Sequence, residues 1–119
     1  MFRISILIAG LVAMLTLAAP SGAMGPTKLV GTTGPGFTIM LKKAGVKVRT
    51  LKHGRYTISV SDKSSAHDFR LKGPGLNKLI TGLSFKGSKT VTVTLKVGKY
   101  TYLCDPHVAQ GMKGTFRVT

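Results

Sequence analysis

Hydrophobic and polar residues alternate along most of the chain after residue 23, and this alternation is typical of half-buried β-strands. The segment RYTISVS places Tyr56, Ile58 and Val60 on one face and small polar residues on the other. We predict that each segment of this kind is a strand whose apolar side chains lie in the core. The other clear examples are TVTVTL at 90–95, KYTYLC at 99–104 and GTFRV at 114–118.

Turns rich in glycine, proline and lysine separate the predicted strands. Examples are GPG at 34–36, KGPG at 72–75 and VGK at 97–99. No long helical period follows residue 23. Several short strands in a domain of this length predict an all-β fold, an antiparallel β-sandwich. Its last two strands, 99–104 and 113–118, form a hairpin.

The N-terminus has the pattern of a cleavable signal peptide. A basic residue near the start precedes an apolar run over 4–19, and small residues occupy positions Ser21 and Ala23. We predict a signal peptide over 1–23, a domain over 24–119, and a secreted or periplasmic protein without a transmembrane span after cleavage. The alternative is an uncleaved anchor, but the run is short for a span of ~20 residues and no basic cluster follows it.

The chain is strongly basic, with 18 Lys and Arg against three Asp and Glu and a net charge of +15. The cations are scattered, which suits the outer faces of strands better than a nucleic-acid-binding arm. Aromatic residues are few and no RNA-binding signature is present, so specific nucleic-acid recognition is not expected. The charge predicts an acidic partner or a polyanion, with an association that weakens as salt rises.

The segment YTYLCDPHVAQGMKG at 100–114 contains the only cysteine of the chain. A lone thiol outside the cell invites oxidation unless it is buried or bound, because it has no internal disulfide partner. Cys104, His107 and Met112 offer a thiolate, an imidazole and a thioether, and His67 in SSAHDFRL offers a second imidazole. Two imidazoles and a thiolate with a weak axial thioether are the ligands of a blue copper site.

Other sites explain these residues less well. Taken singly, Cys104 reads as a buried thiol, Met112 as a core residue and His107 as a loop residue. Zinc rarely takes a thioether, a binuclear copper centre needs two bridging thiolates, and a trinuclear cluster needs His-x-His pairs that are absent. A Cys–His nucleophile would want flanking residues that this loop lacks. We therefore predict no catalytic residues, and His53 has no partner donors nearby in sequence.

The order Cys, two residues, His, four residues, Met, after a Tyr-x-Tyr-x-Cys strand, resembles plastocyanin and its cupredoxin relatives. The upstream HDF is similar to the family's first copper-binding segment, and the likeness covers roughly 36–119. The resemblance implies a Greek-key β-sandwich with one type 1 copper. His67, Cys104 and His107 would bind that copper, with Met112 as the axial ligand.

One position departs from the family pattern. The family usually has Asn after the first histidine, where it helps to tie the two ligand loops together, whereas this chain has Asp68. An ionised carboxylate at this position would favour Cu(II) and lower the reduction potential. The resemblance therefore does not fix the potential of this protein.

The expected function is that of an exported, monomeric one-electron carrier that is not an enzyme. The outer edge of the His107 ring would be the electron port, and Lys113 with the loops at 34–36 and 72–78 would dock an acidic redox partner protein. The alternative is a copper-binding or copper-delivery protein without a redox partner, although delivery sites usually hold Cu(I) in exposed methionine-rich or histidine-rich clusters. A purely adhesive sandwich domain would leave the four donors unexplained.

Overall fold

The computed structural model describes residues 25–119, which form ten β-strands and one 3₁₀ helix at Asp105–Gln110. The predicted signal peptide lies outside the described residues. Within 25–119, no helix is long and apolar enough to cross a membrane. The strands are β1 Thr27–Thr33, β2 Ile39–Lys43, β3 Val46–Lys47, β4 Thr50–Leu51, β5 Gly54–Asp62, β6 Phe69–Gly73, β7 Leu76–Thr81, β8 Gly87–Leu95, β9 Gly98–Leu103 and β10 Lys113–Val118.

The strands form two five-stranded sheets that pack as a sandwich, in the orders β3-β2-β1-β5-β8 and β4-β10-β9-β6-β7. The prediction of a β-sandwich is confirmed, but the prediction that it is antiparallel throughout is wrong. β1 pairs with β5 in parallel, and β10 pairs with β4 in parallel. Parallel neighbours need a crossover connection, and between β1 and β5 the chain passes through β4 in the other sheet. Both sheets are therefore mixed. Alternation indicates which face of a strand is buried but not the direction in which the strand runs, so it could not predict these parallel pairs.

The core lies between the two sheets, where the inward-facing residues of each strand meet. In β5, Tyr56, Ile58 and Val60 are all buried, as the alternation predicts. Aromatic pairs fill the second sheet's side of the core: Tyr100 stacks on Phe116 with 5.4 Å between ring centroids. Burial of these side chains is the main favourable contribution to the fold.

The register of the second sheet brings three strand ends to one end of the sandwich. β6 and β9 are antiparallel neighbours with Arg70 opposite Leu103, so β6 begins where β9 ends. β10 begins at the same place, since Lys113 also lies opposite Leu103. Residues just before β6, just after β9 and just before β10 therefore meet at this end of the molecule.

Gly73→Ala is expected to destabilise the fold, because a Cβ at this position overlaps the ring of the buried Tyr100. That ring is held in place by a hydrogen bond that its hydroxyl donates to the Pro74 carbonyl, at 2.8 Å. We expect a loss of about 1–3 kcal/mol in the free energy of unfolding, measured with urea on the metal-free protein. The matched control is Gly36→Ala, whose Cβ meets no atom within 4 Å. Equal losses in the two variants would contradict this packing.

Candidate metal centre

Three of the predicted donors converge at the end of the sandwich where the strand ends meet. The potential ligand atoms of His67, Cys104 and His107 all lie within 4.8 Å of one another. His67 comes from the loop before β6, Cys104 follows β9, and His107 lies in the 3₁₀ helix. His67 and Cys104 are buried, whereas His107 is partly exposed. Residues that are 37 positions apart in sequence thus reach one centre.

The spacing of these atoms suits a metal ion. The two imidazole Nδ1 atoms are 3.0 Å apart, and the Cys104 Sγ atom is 3.7 Å from the Nδ1 of His67 and 3.5 Å from the Nδ1 of His107. The point equidistant from these three atoms is roughly 2 Å from each, close to the length of a metal–imidazole or metal–thiolate bond. The donor set of two imidazoles and one thiolate therefore fits a metal in size as well as in chemistry.

Backbone hydrogen bonds connect Cys104, His107 and Met112 in a closed cycle. The Cys104 carbonyl accepts from the His107 N–H at 3.1 Å, the His107 carbonyl accepts from the Met112 N–H at 3.2 Å, and the Met112 carbonyl accepts from the Cys104 N–H at 3.1 Å. Met112 is buried, with 1% of its surface exposed. The cycle fixes the backbone of this methionine beside that of Cys104 and His107.

The 3₁₀ helix gives the ligand loop its shape. Pro106 lies in its first turn, where the fixed φ of proline is compatible with a helix and its missing N–H costs little. Gly111 ends the helix in the left-handed region, with φ of 87°. A residue with a side chain adopts this conformation only with strain. The turn at Gly111 brings Met112 back toward Cys104.

The loop before β6 orients the ring of His67. The Ser64 N–H donates to Asp62 Oδ1 at 3.1 Å, and the His67 N–H donates to the Ser64 carbonyl at 3.2 Å. The Nε2 of His67 lies 3.3 Å from the Pro35 carbonyl. With Nδ1 facing the other donors, Nε2 carries the proton and donates to this carbonyl, which fixes both the tautomer and the ring orientation.

Asp68 ties the two ligand loops together. Its N–H donates to Cys104 Sγ at 3.4 Å, its Oδ1 accepts from the Asp105 N–H at 2.7 Å, and its carbonyl accepts from the Thr33 hydroxyl at 3.1 Å. A carboxylate oxygen thus provides the connection that the family resemblance attributes to Asn. The N–H···S bond also stabilises negative charge on the sulfur.

Burial shifts the pKa of two groups at this centre in the metal-free protein. Burial is the main cause that raises the pKa of Asp68 from 3.8 to about 6, and the Asp105 carboxyl adds to the increase. Burial also raises the pKa of the Cys104 thiol above its ordinary value, although the Asp68 N–H opposes this effect. Without a metal the sulfur therefore holds its proton more tightly than a free cysteine does.

Phe37 is part of the site and was not predicted from the sequence. Its ring packs edge-to-face against both imidazoles, with centroids 5.7 Å from His67 and 4.7 Å from His107. The side chain is 64% exposed, so it covers the two histidines from the solvent side. A phenylalanine after a GPG turn carries no chemical signal of this role. The contact exists only because the turn folds over the ligand loops.

The four predicted ligands, His67, Cys104, His107 and Met112, are arranged as a type 1 copper site. His53 lies elsewhere, since its Nδ1 is 3.0 Å from the carbonyl of the C-terminal Thr119. This position agrees with its omission from the predicted ligand set.

Comparisons with known proteins agree with this geometry. The family model described as copper binding proteins of the plastocyanin/azurin family matches residues 43–119, which include all four predicted ligands. No curated protein matches the chain.

Solved structures of similar fold include cupredoxins. A structure of reduced rusticyanin is 24% identical with a TM-score of 0.56, over 77% of this chain and 78% of that one. Rusticyanin from Thiobacillus ferrooxidans is 25% identical with a TM-score of 0.50, over 77% and 76%. Dithionite-reduced auracyanin from the photosynthetic bacterium Roseiflexus castenholzii is 23% identical with a TM-score of 0.56, over 80% and 99%. The fold of this chain is therefore cupredoxin-like.

Asp68→Asn is expected to flatten the pH dependence of stability in the metal-free protein. Because the native pKa of about 6 lies above the unfolded value of 3.8, the native state binds more protons, and stability falls as pH rises through this range. Asparagine does not titrate and still offers an oxygen to the Asp105 N–H. As pH rises from 3.5 to 7, the free energy of unfolding of the native protein should fall relative to that of the variant by at most about 3 kcal/mol. The measurement is urea unfolding at each pH. Parallel pH profiles for the two proteins would contradict this account.

Proposed function

The chain belongs to the plastocyanin/azurin family of copper-binding proteins, and we propose that it is a one-electron carrier with a single type 1 copper. The observation that carries the proposal is the triangle of Nδ1, Nδ1 and Sγ atoms, with sides of 3.0, 3.5 and 3.7 Å. In this proposal His67, Cys104 and His107 would hold the metal, and Met112 would be a further, weaker ligand. Copper bound there would supply a one-electron couple between Cu(II) and Cu(I).

The protein's contribution is a set of donors that need not move. The cycle of backbone hydrogen bonds holds Cys104, His107 and Met112, and the Pro35 carbonyl orients the ring of His67. A site whose ligands are already in place changes little between the two oxidation states. Small movement lowers the reorganisation cost of electron transfer, which is what a carrier requires.

His107 is the donor through which a partner can approach. It is partly exposed, whereas the side chains of the other three donors are buried. The ring of Phe37 lies against it and presents an exposed apolar surface at the same place. The edge of His107 together with Phe37 therefore offers a close contact for a redox partner, and water is kept from the sulfur.

The partner we propose is an acidic redox protein. Lys113 follows Met112 directly and is exposed at the rim of the site, and Lys72 is exposed on β6, two residues beyond Arg70. The turn at 74–75 was predicted to help dock the partner, but it lies at the other end of the sandwich, where Pro74 packs against Gly98 at the start of β9. Opposite charges across such a rim accelerate encounter more than they strengthen the final complex, and salt screens the effect. We propose that the carrier is an exported monomer, located outside the cytoplasm, and that it catalyses no reaction by itself.

A copper-delivery role is less well supported by the same geometry. Delivery requires ready release, whereas Cys104 is fully buried and the site is enclosed by Phe37 and the ligand loops. Rapid loss of Cu(I) to a chelator of moderate affinity would favour delivery over electron transfer.

Cys104→Ala is expected to abolish the intense thiolate-to-copper absorption band in the red part of the visible spectrum. The band requires a direct bond between copper and the Cys104 sulfur, which the alanine variant cannot form. The measurement is the visible spectrum of the purified protein after addition of Cu(II), with folding checked by circular dichroism. His53→Ala is the control and should keep the band, because His53 lies outside the site. A native protein that stays colourless with copper would contradict the proposal.

Met112→Leu should keep the colour and raise the reduction potential. An apolar side chain stabilises the higher charge of Cu(II) less than a thioether does, and the axial ligand tunes the couple without anchoring the metal. We expect a change on the order of tens of millivolts, where 59 mV is a tenfold change in a one-electron equilibrium. The measurement is a redox titration followed at the visible band. Met40→Leu, on β2, is the matched control with an unchanged potential; equal potentials for all three proteins would argue against Met112 as a ligand.

A further inference from the structure

A basic groove lies beside β10, and one of its lining residues, Lys113, directly follows the predicted ligand Met112. Its volume is about 510 Å³. No copper ligand and no carboxylate lines it. The basic residues that line it are Lys47, Arg49, Lys99, Lys113 and Arg117.

Backbone pairing places three of these basic residues next to one another. Arg117 on β10 lies directly opposite Lys99 on β9, and its N–H donates to the Arg49 carbonyl at 3.0 Å on the other side. All three side chains are exposed. Like charges in directly opposed positions of a sheet destabilise it. The fold thus contains an electrostatic repulsion between Lys99 and Arg117, which a bound anion would reduce.

The protein has no acid of its own to offset this charge. The three acidic residues of the chain are Asp62, Asp68 and Asp105. The first two are buried, and the third forms the one ion pair of the described residues, with Arg70. The positive charge of the basic groove is therefore not balanced by any carboxylate side chain of this protein, and only a ligand from outside the chain could balance it.

We propose that the basic groove binds a linear inorganic polyphosphate, a chain of phosphate groups without sugars or bases. Arginine, lysine and threonine side chains are the usual partners of phosphate oxygens, and Thr115 adds a hydroxyl to the lining. The aromatic residue of the lining, Phe116, is only 3% exposed. The groove thus lacks an aromatic platform for stacking bases and an apolar centre for a protein interface.

The dimensions favour a polymer over a single phosphate ion. Lys113 and Arg117 are four residues apart on β10, a separation of about 13 Å along an extended strand. Arg117 and Lys99 are about 5 Å apart across the two strands. One phosphate ion contacts only part of this set, whereas a chain of phosphates contacts all of it. This inference does not rest on the proposed electron transfer, since none of the groove residues is a predicted copper ligand. Lys113 is shared with the proposed docking rim, and the variants below leave it unchanged.

The test is the binding of fluorescently labelled long-chain inorganic polyphosphate, measured by anisotropy on the copper-loaded full chain. The groove variant combines Arg49→Ser, Lys99→Ser and Arg117→Ser, and should bind at least about tenfold more weakly at moderate salt. The matched control removes three exposed cations from elsewhere through Lys28→Ser, Lys86→Ser and Lys89→Ser, and should stay within about threefold of the native protein. Orthophosphate at equal phosphate concentration should not compete.

Two further measurements distinguish binding in the groove from non-specific electrostatic attraction to the whole surface. The slope of log affinity against log salt should become shallower by about two to three in the groove variant. Polyphosphate should also raise the thermal midpoint of the native protein and of the control by more than that of the groove variant. The visible copper band reports separately on the copper site in every protein.

Equal weakening in the two triple variants would overturn the proposal, because binding would then depend only on net charge. Tighter binding of polyglutamate, single-stranded DNA or anionic lipid vesicles than of polyphosphate would also overturn it, in favour of an acidic protein, a nucleic acid or a membrane. Loss of the copper band in native protein that still binds polyphosphate would remove the electron-transfer proposal and leave this one intact.

Discussion

The site depends on a closed cycle of three backbone hydrogen bonds that links Cys104, His107 and Met112. Each donor residue accepts a bond from the next, so none can move without breaking a bond to another. Asp68 extends the constraint to the second loop through one bond to the Cys104 sulfur and another to the Asp105 N–H. A thiolate, two imidazoles and a thioether are thereby held together in a chain with no disulfide.

The rest of the sandwich serves to align the strands from which these loops extend. β6, β9 and β10 are adjacent, and their register brings the start of β6, the end of β9 and the start of β10 to one end. Stacked aromatic rings between the sheets, such as Tyr100 on Phe116, fix this register from within. The same register places Lys99 opposite Arg117 on the outer face and creates the basic groove. One set of strand pairings thus determines both the buried site and the exposed groove.

Local sequence patterns predicted the strands β5, β8, β9 and β10 and the four donor residues, because each of these features depends on residues that are close in sequence. Alternation identified the buried face of β5 at Tyr56, Ile58 and Val60, and the order Cys, His, Met identified the ligand loop. The parallel pairings of β1 with β5 and of β4 with β10 could not be predicted in this way, since strand direction depends on long-range connections. The contacts of Phe37 and of the Pro35 carbonyl with the histidines were not predictable for the same reason. Both arise only when a distant turn folds over the site.

The central claim is that one sulfur and two imidazole nitrogens bind a single copper. X-ray absorption at the copper edge of the loaded protein tests it most directly. The account predicts one short copper–sulfur distance of about 2.2 Å and two copper–nitrogen distances of about 2.0 Å, with no second strong sulfur shell. A spectrum fitted by nitrogen and oxygen ligands alone, without a short sulfur distance, would contradict it.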